Sequence, residues 1–236
     1  MHRHIAWLTA LRHAMRQKRK WEVFEESTTN KEWSNLIYNP ERITRLTDDL
    51  APYLNEEERE YVLSKSNKSN AILFLQSRQL QSLKDEGHIW GFSFLNLENL
   101  IQDMFDLQGK SERIKNFPYP RQYATLSYFF VYVFLLLIPF GIVPEFHKIG
   151  MTLNNHFPII SEYFVWISVP FCGAVSWVFH TVERIGRVGE NPFEGSANDV
   201  PISTIARGIE IDLRQLMDEN EKLIPAQFPE LYSVQM

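Results

Sequence analysis

The side chains that could do chemistry are few. His180 and Glu183 stand three residues apart on one helix face, a spacing that suits two ligands of a metal. No second pair completes such a site, so neither a metal nor a cofactor is expected. Gly186-Arg187-Val188-Gly189 imitates a phosphate-cradling loop, but it lacks the flanking strand and the Gly-Lys-Ser/Thr ending that give such a loop meaning. No His-Glu-x-x-His occurs, and Cys172 is the single cysteine, which excludes an intrachain disulfide. The chain does not read as an enzyme.

Oxygen-bearing side chains gather between Glu190 and Pro201. Asn191, Asn198 and Asp199 suit local hydrogen bonds to the backbone, and Asp199 is expected to cap a helix that Pro201 opens. That helix carries an apolar stripe of Ile205, Ile209, Leu213 and Leu216, and Glu210 precedes Arg214 by four residues, the favourable order for an ion pair. Glu162 lies at the mouth of an apolar span and reads as an interfacial carboxylate.

Those spans organise the chain. Thr125 to Val143 and Tyr163 to Thr181 are free of charge, and each is long enough to cross the hydrocarbon of a bilayer as a helix. The averages hide them: 236 residues, net charge −5 and 44% hydrophobic content describe an ordinary soluble protein. Pro170 and Gly173 inside the second span predict a kink. The spacing predicts an all-α, multi-pass helical membrane protein with a cytoplasmic helical bundle. Its expected parts are a cytoplasmic helical region over 1–118, a transmembrane hairpin over 119–183, and a loop, amphipathic helix and tail over 184–236.

Lys110, Arg113, Lys115 and Arg121 precede the first span and Arg184 and Arg187 follow the second, whereas the linker from Pro144 to Glu162 holds only Lys148. Positive residues stay on the cytoplasmic side, so both termini are expected there and the linker outside. Before the spans the pattern is helical. Ile5, Leu8, Leu11 and Met15 recur at helical spacing, and the run Arg12, Arg16, Lys18, Arg19, Lys20 reads as a solvated helix end rather than a nucleic-acid patch. Asn39-Pro40-Glu41 and Asn55 with Glu56, Glu57 and Glu58 are helix starts. Longer periodic segments run from about Asn70 to Lys84 and from about Phe94 to Leu107.

Glu190-Asn191-Pro192-Phe193-Glu194-Gly195-Ser196-Ala197-Asn198-Asp199-Val200-Pro201, followed by Arg207-Gly208-Ile209-Glu210-Ile211-Asp212-Leu213, resembles the segment after the last membrane helix of bestrophins, above all bacterial ones. Phe117-Pro118-Tyr119-Pro120 resembles the entry to that family's third membrane helix. The resemblance implies an oligomeric ion channel, a homopentamer in the bilayer of the bacterial inner membrane, passively conducting chloride and other small anions. A cation-selective channel and a non-conducting membrane-anchored scaffold are the alternatives. The family places two further membrane helices before the region matching His2 to Arg16, so an N-terminally truncated product is expected. In bacterial relatives an apolar side chain on the helix matching Asn70 to Lys84 forms a constriction near the cytosolic exit. Leu80 aligns best with it, and core packing is its competing reading; Gln76, Arg78 and Gln79 stay open. Animal members bind calcium after the last membrane helix. This chain keeps Asn191 and Asp199, but Val188 and Ser196 replace a Gln and an Asp of that clasp, so no calcium site is expected.

Overall fold

The computed structural model describes residues 1–19, 36–117, 121–153, 158–188, 192–196, 199–231 and 234–235, with side chains except at 121–125, 159–160, 162 and 187–188. Pro118 to Pro120, Asn191, Asn198 and the side chains of Glu162 and Val188 lie outside that description. Among the described residues every regular element is a helix. They divide into two compact units: Met1–Phe117 with Asn191–Met236, and Pro118–Glu190.

The first unit holds α1 (His2–Arg16), α2 (Pro40–Ile43), α3 (Leu46–Leu50), α4 (Glu56–Ser64), α5 (Lys68–Asp85) and α6 (Gly91–Asn116), to which α10 (Ile202–Leu216) returns. The expected starts are capped only in part: Asn39 holds the cap position of α2 without a side-chain bond, and the cap of α5 lies at Asn67, three residues ahead of the expected start at Asn70. The Asn55 side chain accepts from Glu58 N at 2.8 Å, and the Asn67 side chain accepts from Asn70 N at 3.0 Å. Ala6, Ala10, Leu50, Val62 and Ile72 form the core where α1 meets α3, α4 and α5, the alanines letting α1 approach closely. A second cluster, Leu73, Leu80 and Ile101, joins α5 to α6.

Gln108 is, with Lys115, a buried polar residue of α6. It accepts from Trp7 Nε1 at 2.7 Å and donates to Asn70 Oδ1 at 2.6 Å and Glu112 Oε1 at 2.7 Å. Satisfied on both ends, a buried amide is tolerated and fixes the register of three helices.

The second unit is α7 (Arg121–Leu153), α8 (Pro158–Tyr163), a 3₁₀ turn (Phe164–Ile167) and α9 (Ser168–Val188). Its apolar stretches, Leu126–Leu153 and Phe164–Gly186, contain 28 and 23 residues. At about 1.5 Å per residue these reach roughly 42 and 35 Å, enough for the hydrocarbon core of a bilayer. Only 6% of the 18-residue apolar window of either stretch is buried, the reverse of a soluble core helix. Phe134 meets Phe179 edge-on at 4.8 Å, and Phe146 lies 5.4 Å from Phe171, pairing α7 with α9.

One expectation about this unit needs correcting. Helix α7 runs through Pro139 and Pro144 to Leu153, so much of the segment read as a linker from Pro144 is helix. The second span changes to a 3₁₀ turn over Phe164–Ile167, ahead of Pro170, which sits in the first turn of α9 where no donor is lost. Ser161 Oγ donates to Gly150 O at 2.7 Å, where a Cβ on Gly150 would stand 3.1 Å from Ser161 O. Glycine there permits the close approach of α8 to α7.

Candidate functional site

Arg12 and Arg16 are not on a solvated helix end; they are 8% and 9% exposed. Ile5, Thr9, Arg12 and Arg16 recur at steps of four, three and four, which puts both arginines on the buried stripe of α1. A charge on that stripe must be paired. Arg12 Nη1 donates to Glu41 Oε1, and Nη2 donates to Asp49 Oδ2 at 2.9 Å. Asp49 Oδ2 also meets His13 Nε2 at 2.8 Å and accepts from Thr44 Oγ1 at 2.9 Å. Burial works to raise the Asp49 pKa, but the His13 hydrogen bond, the Arg12 charge and the Thr44 hydroxyl together hold it below the usual carboxylate value. Glu41, whose side chain is 2% exposed, accepts from Ser203 Oγ at 2.7 and 2.8 Å, which anchors the start of α10 to α1 and α2.

The loop from Pro192 to Pro201 closes on the same end of α1. Asp199 Oδ2 accepts from Gly195 N at 2.7 Å and Ser196 N at 2.8 Å, and Oδ1 accepts from Ser196 Oγ at 2.7 Å. The local backbone bonds expected of Asp199 are present, but the helix cap is not. Helix α10 begins at Ile202 with Pro201 at its cap position and no side-chain bond there. The carboxylate spends its oxygens three and four residues back instead. Gly195 takes φ +90°, and a Cβ on it would lie 2.5 Å from Asn39 Nδ2. Arg16 Nη2 donates to Val200 O at 3.2 Å and Arg42 Nη2 to Glu194 O at 3.3 Å, tying both ends of the loop to the bundle. Three donors on Asp199 make a cradle for a carboxylate, the opposite of the oxygen cage a calcium ion takes.

Helix α10 is inverted. Its buried residues are Ser203 and Glu210, while Ile205, Ile209 and Leu216 of the apolar stripe are exposed. Glu210 Oε1 accepts from Tyr53 Oη at 2.6 Å and from Arg214 Nε at 3.0 Å, and Oε2 accepts from Arg207 Nη1 at 2.9 Å. The expected Glu210–Arg214 pair is therefore part of a larger knot. Arg207 also stacks on Phe228, 4.6 Å from the ring centre, and Gln227 Nε2 donates to Thr204 O at 3.2 Å, so the tail is docked at these residues.

Leu80 is 8% exposed and packs with Leu73 and Ile101, flanked by Phe94 and Met104. On the outward face of α5 stand Phe74, Arg78 and Gln79. His180 lies 6.1 Å from the Tyr132 ring, an aromatic contact. The structure brings Pro192, Phe193, Ser196, Asp199 and Pro201 together in one loop and leaves Leu80 apart, in the α5–α6 core.

Residues 1–215 match the family model described as Bacterial/Fungal Bestrophin protein. The chain belongs to this bestrophin family. Among curated bestrophin relatives, the voltage-dependent anion channel-forming protein YneE of Salmonella typhi is 31% identical over 180 residues, covering 76% of this chain and 53% of its own length. The protein of the same name from Escherichia coli K12 is 30% identical over 177 residues, 75% of this chain and 52% of the relative. The chain spans about half the length of the curated relatives it matches. A bacterial bestrophin homologue from Klebsiella pneumoniae superposes with a TM-score of 0.64 at 22% identity, over 93% of this chain and 67% of that one. Its W252A mutant gives 0.65 at 22% identity, over 92% and 65%. These likenesses show the bestrophin fold, and family membership together with the apolar hairpin puts the chain in a membrane.

Sequence reasoning missed the Arg12–Glu41–Ser203 and Tyr53–Glu210 links. For Arg12 a signal existed: it shares a helical stripe with Ile5 and Thr9. For Tyr53 and Glu210 none did, since 157 residues separate them.

Proposed function

We propose that this chain is a subunit of an oligomeric channel passively conducting chloride and other small anions across a bacterial cell membrane. The observation that carries the reading is the match to curated relatives named as voltage-dependent anion channel-forming proteins, over a region that includes a membrane hairpin. Five copies around one axis form the assembly, with both termini cytoplasmic. The excess of Lys and Arg outside the hairpin linker supports that orientation.

Within this assembly the Pro192–Pro201 loop is a structural clamp rather than a calcium site. The three protein donors already on Asp199 support that role. The burial of Leu80 against Leu73 and Ile101 supports packing over a pore-lining ring of five aliphatic side chains.

Planar-bilayer recording of the purified protein under a KCl gradient tests the conduction. A reversal potential near that of chloride is expected. One that follows potassium overturns the anion assignment and keeps the channel. Silence from material that native mass spectrometry shows to be pentameric turns the reading to a non-conducting scaffold.

A further inference from the structure

A cavity of about 440 Å³ opens in the first unit where the end of α1 passes the start of α5. Arg16, Arg19, Lys68, Ser69, Glu41 and Glu112 are among its lining residues. Both carboxylates are already spent. Glu41 serves Arg12 and Ser203, and Glu112 Oε1 accepts from Asn67 Nδ2 at 2.8 Å and Gln108 Nε2 at 2.7 Å. The donors are spent only in part: Lys68 Nζ donates to Lys65 O at 3.0 Å and Arg16 Nη2 to Val200 O at 3.2 Å. Arg16 Nε and Nη1, Arg19 Nε and Ser69 Oγ have no hydrogen-bond partner, although Ser69 is 1% exposed. Buried donors are nearly always satisfied, and a cluster of orphans around one cavity calls for an acceptor from outside the chain.

We propose that this cavity binds a phosphate-bearing anion. The donor set is the one phosphate takes: planar arginine forks, a lysine, a hydroxyl and the first turn of a helix. The N–H groups of Lys68 and Ser69 precede the first intrahelical bond of α5, Ala71 N to Asn67 O, and carry its positive end. Size argues against the permeant ion as occupant. A cavity of 440 Å³ falls in the range of small-molecule sites, and a chloride ion would leave nearly all of it empty. The phosphate comes either from a soluble ester or from a lipid headgroup.

Calorimetric titration of the whole detergent-solubilised protein separates these sources, using pyrophosphate, ATP and short-chain phosphatidylglycerol, with short-chain phosphatidylcholine as control. Saturable binding of pyrophosphate or ATP identifies a soluble ligand. Binding of phosphatidylglycerol alone identifies a headgroup. No saturable binding of any of the three at millimolar concentration overturns the proposal. Arg16 is a poor test residue because it also holds Val200 O. The double substitution Arg19→Gln with Lys68→Gln, at the same cavity, is expected to weaken binding at least about tenfold. Unchanged affinity in that folded variant also overturns the site. Ser69→Ala is expected to raise the melting temperature of the ligand-free protein while weakening the ligand, a combination that mere packing would not produce. The readout is binding, so it stands apart from whether the protein conducts.

Discussion

Tyr53 Oη donates to Glu210 Oε1 at 2.6 Å across 157 residues of sequence, pinning α10 to the segment between α3 and α4. Burial, the hydrogen bond to Glu210 and its charge push the Tyr53 pKa up from 10 to about 12, against the opposing pull of Arg214 and Arg207. The folded value lies above the unfolded one, so this link stabilises fully below pH 10 and is lost as pH rises from 10 to 12. Thermal melting of the wild type should therefore fall more steeply over that window than melting of Tyr53→Phe. Parallel curves would mean the phenol is not coupled to folding.

The Arg12 knot responds at the acid end. Asp49 is held below its ordinary pKa of 3.8, so its stabilisation is present above that value and lost as pH falls through the lower, folded value. Asp49→Asn should flatten the acid limb of the stability curve. Arg12→Ala strands Glu41 in a site only 2% exposed, and the cost of breaking such a buried pair is about 3–5 kcal/mol. Denaturant unfolding should show that loss, and Arg12→Ala with Glu41→Gln should recover part of it. No recovery would assign the loss to packing of the arginine stem.

How much of this was legible depended on sequence distance. The two long apolar runs announced the hairpin, because a charge-free stretch of that length has few other uses, and Asn55 marked a helix start through a bond spanning three residues, whereas the cap at Asn67 went unread. Asp199 showed that short-range reasoning can choose the right bond type and the wrong partner: its carboxylate turned back to Gly195 and Ser196 instead of forward to α10. The inversion of α10 was illegible. An apolar stripe of Ile205, Ile209 and Leu216 normally faces a core, but Ser203 and Glu210 found buried partners in Glu41 and Tyr53 that only the tertiary fold supplies.

Gly195 is the residue on which the loop turns. Its φ of +90° disfavours any Cβ, and the Cβ of alanine would meet Asn39 Nδ2 at 2.5 Å. Gly195→Ala should cost about 1–3 kcal/mol from backbone strain alone. Adding Asn39→Ala relieves the contact but not the strain, so partial rescue in melting temperature is expected. Full rescue would show that the clash, not the backbone, makes glycine necessary.

Leu80 separates a packing role from a pore role by two measurements on one variant. Buried against Leu73 and Ile101, it should cost about 2–5 kcal/mol on truncation to alanine, the range for core leucines. Phe74 is 53% exposed on the same helix, so Phe74→Ala should cost far less. If Leu80 packs, Leu80→Ala lowers the melting temperature while single-channel conductance in the surviving pentamers stays at the wild-type value. A conductance or rectification change with the melting temperature intact would move Leu80 to the pore axis. That outcome would require α5 to turn in the assembled channel, since a side chain enclosed by its own subunit cannot touch the permeating ion.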